Sequence, residues 1–130
     1  MEDNNVFKAA GAMTAGIGGM QDACGSLLGA SLMFGAVMGR GISDFANKDK
    51  LGESMTATAQ LYKWYEKEFG SPTCKDIRTK FGGGVYYDYQ IPWQAELAKQ
   101  AGVHEKCVEL AGKTASKAAE MLWDALNKAK

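Results

Sequence analysis

The sequence predicts an all-α fold, a compact bundle of about four main helices forming a single domain over residues 1–130. Three observations carry this reading. Apolar residues recur at steps of three and four along several long segments, the period of a helix buried on one side. Only 2 of the 130 residues are proline, and the one stretch with β character is interrupted by glycines. A chain of this length with 46% hydrophobic residues supports one core that buries roughly two-thirds of the unfolded surface, without disulfide staples.

The elements follow in order. Val6 to Met13 predicts a short helix, ended by the break Gly16-Ile17-Gly18-Gly19. Asp22 is placed to cap a helix from about Ala23 to Arg40, whose Leu27, Leu28, Leu32, Met33, Phe34 and Val37 leave it apolar nearly all round. Such a helix belongs at the centre of a fold. After Gly39-Arg40-Gly41, a helix from about Lys48 to Phe69 carries the stripe Leu51, Met55, Thr58, Tyr62, Tyr65 and Phe69. Gly70 stops it, and Ser71-Pro72-Thr73 starts a short helix from Cys74 to about Phe81. The segment Gly82 to Pro92, with three glycines and Tyr86, Tyr87 and Tyr89, reads as one irregular loop. Helix resumes from Trp93 to Ala101. A last helix from about Val103 to Lys128 aligns Val103, Cys107, Leu110, Ala111, Thr114, Ala118, Met121, Leu122, Ala125 and Leu126 on its core face.

Charge narrows the function classes. Fifteen basic residues balance fifteen acidic ones, so no electrostatic grip on nucleic acid or anionic lipid is expected. The longest uncharged run, Ala23 to Gly39, is shorter than the ~18 residues of a membrane span and contains four glycines. Met1-Glu2-Asp3-Asn4-Asn5 is acidic where an export signal is basic, and the three cysteines are odd in number. Together these predict a cytoplasmic, reducing setting. The alanines Ala9, Ala10, Ala12 and Ala15 offer a small-residue surface for a second copy, and a homodimer is expected.

The cysteines carry what chemistry the sequence announces. Cys24, Cys74 and Cys107 each fall near the start of an expected helix, where free N–H groups and the macrodipole favour a thiolate and lower a thiol pKa. Their gaps of 49 and 32 residues match no zinc finger, Cys-x-x-Cys pair or haem attachment site. Any shared site therefore assembles through the fold. His104, the sole histidine, sits one turn before Cys107 and reads either as a fourth ligand or as a solvent-facing residue. Nine of the sixteen glycines lie between Gly11 and Gly41, around Cys24. The alternative is that all three thiols are simply packing residues. Gly16-x-Gly18-Gly19 lacks the preceding strand and the following Gly-Lys-Ser/Thr of a phosphate loop, which argues against nucleotide binding.

Three blocks resemble a known family. Gly18-Gly19-Met20-Gln21-Asp22-Ala23-Cys24-Gly25-Ser26-Leu27-Leu28-Gly29-Ala30, Glu68-Phe69-Gly70-Ser71-Pro72-Thr73-Cys74-Lys75-Asp76-Ile77, and Cys107 opening a helix that ends Ala119-Glu120-Met121-Leu122 are similar to the redox-active proteins named for their C, GCAxxG, C, C pattern. A similar domain accompanies haem in split-Soret cytochromes. The resemblance implies an all-helical redox domain whose cysteines ligate an iron–sulfur cluster, [2Fe–2S] or [4Fe–4S], and pass electrons to a redox partner protein. Cys24, Cys74 and Cys107 are then ligands, with His104, Asp22 or a partner chain completing the set, and Gly18, Gly19 and Gly25 let backbone approach the cluster. The family's first cysteine, on a helix before the glycine-rich block, has no counterpart here. Two other functions remain open: a metal-free thiol/disulfide protein, and a helical interaction module of a larger redox assembly.

Overall fold

The structure, a computed structural model, describes residues 3–128 and contains six helices: α1 (Asn4–Gly11), α2 (Gly25–Met38), α3 (Lys48–Phe69), α4 (Cys74–Phe81), α5 (Pro92–Gln100) and α6 (Val103–Lys128). The described residues form no strand, only an isolated antiparallel bridge between Ala23 and Thr73. The all-α expectation therefore holds. None of the helices is long and apolar enough to cross a membrane.

Local chemistry sets the helix ends. The Asp3 carboxylate accepts from the N–H groups of Asn5 and Val6, Asn47 caps α3 in the same way, and the Thr73 hydroxyl accepts from Asp76 at the start of α4. Gly70 ends α3 in the left-handed conformation, at φ 86°. Pro92 occupies the first turn of α5, where its missing N–H costs nothing. Two expected boundaries shift. Helix α1 begins at Asn4 rather than Val6, and α2 is capped by Cys24, not Asp22. Asp22 lies outside the helix because the chain before it winds left-handed, which turns its side chain to solvent and its carbonyl toward α4.

Helix α2 is the hub, packed on α1, α3 and α6, while α4 and α5 lean on α6. The core is Leu27 and Phe34 of α2, Leu61 and Tyr65 of α3, Ile77 of α4, and Leu110 and Ala118 of α6. The central position predicted for α2 is thus found. It is not enclosed on every side, however, since Gly35 and Ala36 face solvent. The stripe expected on α3 is corrected: Met55 and Tyr62 are exposed, and Leu61 is fully buried in their stead. Tyr65 and Phe69 of that stripe do pack inward, joined by Ala57, Leu61 and Trp64, so the buried face departs from the expected one only before Trp64, where the wide aromatic surface of Trp64 turns toward the core. On α6 the core face ends at Leu122. Ala111, Ala125 and Leu126 are exposed, the last two lining an open groove with the end of α2 and the first turns of α3.

Candidate functional site

A left-handed turn prepares the site. Ala15, Gly16, Ile17, Gly18 and Gly19 all have positive φ, between 53° and 84°, and Gln21 follows at 58°. Non-glycine residues adopt this conformation at a cost of about 1–2 kcal/mol each, and for the β-branched Ile17 it is a true outlier. The turn is held by its own backbone bonds, among them Gly18 N–H to Ala12 O, Gln21 N–H to Ala15 O and Asp22 N–H to Gly16 O.

The turn delivers residues 21–24 alongside residues 72–75. Cys24 N–H donates to Pro72 O at 2.8 Å, Cys74 N–H to Asp22 O at 2.6 Å and Lys75 N–H to Gln21 O at 2.9 Å. This main-chain seam sets Cys24 beside Cys74. Gly16 lies beneath it, so tightly that a Cβ there would come within 2.8 Å of the Cys74 Cβ and 2.7 Å of the Asp22 nitrogen. Gly25 is pressed against Met13, whose carbonyl oxygen would be 2.8 Å from an added Cβ.

Helix α6 brings the third thiol. Cys24, Cys74 and Cys107 line one cavity of about 330 Å³ together with Gly25, Arg78 and Tyr89. Cys74 is buried, Cys24 and Cys107 are half-buried, and all three are free thiols. Arg78 is 5% exposed, with its guanidinium flat on the Tyr89 ring, 3.1 Å from the centroid. The Tyr65 hydroxyl is fully enclosed with no hydrogen-bond partner of ordinary geometry, and the Cys24 thiol is the polar group it faces. Arg78 Nε and Gln21 Oε1 are likewise buried and unpartnered.

The electrostatics invert one expectation. Burial pushes the Cys74 thiol up to about 11, with the neighbouring Cys24 adding to the rise and Arg78 opposing it. Burial also raises Cys107, against the pull of Arg78. Helix starts were expected to lower these values. Here the main-chain seam has already consumed the N–H groups of Cys24 and Cys74, and Cys107 sits in the second turn of α6, beyond the strongest part of the dipole. Desolvation wins. It likewise raises Tyr65 and lowers Arg78. Among the described residues, no three His, Cys, Asp or Glu side chains converge as a set that could hold a single metal ion.

The family model described as "Putative redox-active protein (C_GCAxxG_C_C)" matches residues 1–121. The chain belongs to this family. No curated protein and no solved structure matches it.

Within this C_GCAxxG_C_C domain, the structure gathers Cys24, Cys74, Cys107 and Gly25 from the residues singled out in the sequence. It leaves others apart. Gly18 and Gly19 have open space around their Cα atoms and serve the left-handed turn rather than lining the cavity. Asp22 is exposed. His104 is exposed and lines a neighbouring cavity with Arg78, Tyr89 and Glu105, on the far side of the Arg78–Tyr89 stack from the thiols. Ala9 and Ala12 are exposed, and Ala10 and Ala15 half-buried.

Three residues of the C_GCAxxG_C_C site went unnoticed in the sequence. Arg78 follows Cys74 by one helical turn, a spacing that puts both on one face and was available as a signal. Gly16 stands out in the sequence as part of a break and of an incomplete phosphate-loop pattern, not as a contact of Cys74. Tyr65 was read as core, and its hydroxyl gives no sequence signal of its own.

Proposed function

We propose that the chain is a one-electron carrier that holds an iron–sulfur cluster, [2Fe–2S] or [4Fe–4S], on Cys24, Cys74 and Cys107 and exchanges electrons with a redox partner protein. The observation that carries this reading is the meeting of three thiols, from three segments far apart in sequence, around one cavity. Thiolates are the usual protein ligands of such clusters, and they are divided among two or four irons, so a cluster spreads its ligands wider than a single ion does. The donor set fits. So do Arg78, on the cavity wall with its Nε buried and unpartnered, and the unpartnered Tyr65 hydroxyl facing Cys24, which suit an acceptor-rich occupant with negative charge. The group supplies one-electron redox capacity when bound; the chain spaces the thiolates, shields them from water and sets a cation beside them.

A metal-free thiol/disulfide mechanism fits less well. It needs an accessible thiolate near neutral pH, whereas Cys74 is buried and both Cys74 and Cys107 are raised by burial. Iron reverses that logic, because a thiol that coordinates a metal is deprotonated, its proton released to water as the thiolate binds.

Anaerobic reconstitution with iron and sulfide tests the proposal. The expected product is brown, contains both elements, and gives an electron paramagnetic resonance signal in one of its two redox states. Serine at Cys24, Cys74 or Cys107 is expected to cut bound iron severalfold with helical content unchanged. A wild-type chain that stays colourless and iron-free after reconstitution overturns the reading, and a mass change on alkylation that appears only after reduction would then favour the disulfide alternative.

A further inference from the structure

We propose that Tyr65 and Arg78 are hydrogen-bond donors to the group held by Cys24, Cys74 and Cys107, and that the two together set its reduction potential. This rests on the cluster reading above and assigns roles to two residues outside the thiol set.

The Tyr65 side chain is 0% exposed, and a phenylalanine would fill the same space without a hydroxyl to satisfy. An enclosed hydroxyl with no partner is unfavourable, a penalty removed once an acceptor is held beside Cys24, the thiol it faces. The Cys24 thiol is the polar group its O–H faces, with Cys107 and Cys74 acting on it more weakly. Arg78 presents the complementary problem. The guanidinium stays protonated wherever it is placed, yet this one is 5% exposed, and the described ion pairs, Lys50 with Asp44 and Lys117 with Glu120, leave it without a carboxylate. A buried cation lacking an anion is strongly unfavourable. The groups beside it that turn anionic on binding iron are Cys74 and Cys107. Tyr89 fixes the plane of the guanidinium by stacking on it, so its N–H edge is held rather than free to swing to solvent.

A thiolate-ligated cluster carries net negative charge and gains one more unit when it accepts an electron. Reduction oxidises a one-electron donor and moves no proton: Tyr65 keeps its O–H and Arg78 its charge. Both residues interact more strongly with the reduced form, so both raise the potential. Tyr65 does so as a neutral donor, and Arg78 as a donor that also carries charge.

The experiment is a redox titration, followed by electron paramagnetic resonance, of reconstituted wild type, Tyr65→Phe, Arg78→Met and Arg78→Lys, with iron and sulfide measured on each. Tyr65→Phe and Arg78→Met are expected to bind wild-type amounts of iron and to lose roughly tenfold in the equilibrium constant for reduction by a fixed donor, about 59 mV for one electron. Arg78→Lys keeps the charge without the stacked fork and is expected to fall between. If Arg78→Met loses the cluster and Arg78→Lys retains it, the charge is needed for binding as well, which supports the assignment. Loaded variants with the wild-type potential overturn it. So does loss of iron from folded Tyr65→Phe, since that makes the phenol a ligand rather than a donor. An iron-free wild type overturns instead the cluster reading on which the proposal rests.

Discussion

Gly16 shows how narrow the tolerance of this site is. Its φ of 72° and the 2.7–2.8 Å approaches to Asp22, Gln21 and Cys74 exclude any side chain. Gly16→Ala is expected to cost roughly 2 kcal/mol or more, from the left-handed strain plus overpacking, while Gly18→Ala, at φ 58° in open space, costs only the strain, about 1–2 kcal/mol. Denaturant midpoints of the two variants compare them directly, and equal losses would mean that the contact with Cys74 has no energetic weight. The sequence made the three cysteines and the glycine density around Cys24 legible, because both are matters of count and position. It did not disclose Gly16, since a glycine needed for φ and one needed for close approach look alike in a string. Arg78 gives no such signal by residue type, because an arginine is not a metal ligand, and its burial beside Cys74 is set by tertiary packing. The misplaced cap at Asp22 has a related cause: no local rule anticipates Ala15, Ile17 and Gln21 adopting positive φ.

At the scale of single helices, α3 is the instructive case. Tyr65 and Phe69 are buried as the expected stripe has them, but further back along the helix periodicity fixes that the segment is helical without fixing which neighbouring residues turn inward. Packing decides for Ala57 and Leu61 over Met55 and Tyr62. Leu61→Ala is accordingly expected to lower stability by about 2–5 kcal/mol and Tyr62→Ala by no more than about 1 kcal/mol. Thermal unfolding followed by circular dichroism separates the two, and a larger loss at Tyr62 would contradict the observed phase. Tyr65 belongs to the expected stripe and to the observed face alike, and its burial brings its hydroxyl beside Cys24. The short helices α1, α4 and α5 were easier to read, each bounded by its own cap, glycine or proline.

For the molecule as a whole, the site is a junction. Cys24 caps α2, Cys74 opens α4 and Cys107 lies on α6, so a ligand bound by all three ties together elements that otherwise meet through modest core contacts. Anything that binds the folded form and not the unfolded one adds to stability, about 2.7 kcal/mol at a hundredfold excess over Kd. Stripping iron from the reconstituted protein with a chelator is therefore expected to lower Tm by roughly 5–10 °C, as read by differential scanning calorimetry under argon. An unchanged Tm would mean that occupancy is not coupled to the fold. The all-α architecture was legible at this scale, since helical periodicity runs through nearly the whole chain. The convergence of the three helix starts was not, because it depends on a seam that no spacing rule describes.

That seam bears on how ready the site is before anything enters it. The bonds from Cys24 to Pro72, Cys74 to Asp22 and Lys75 to Gln21 are made by main chain alone. They hold two thiols, separated by 49 intervening residues in sequence, at a spacing that neither their own side chains nor a ligand has to create. The loss of chain freedom needed to bring them together is met during folding, and what binds there encounters a preorganised pair. The same arrangement makes serine substitutions at Cys24 and Cys74 clean probes, since they remove the sulfur while the backbone that positions it stays in register.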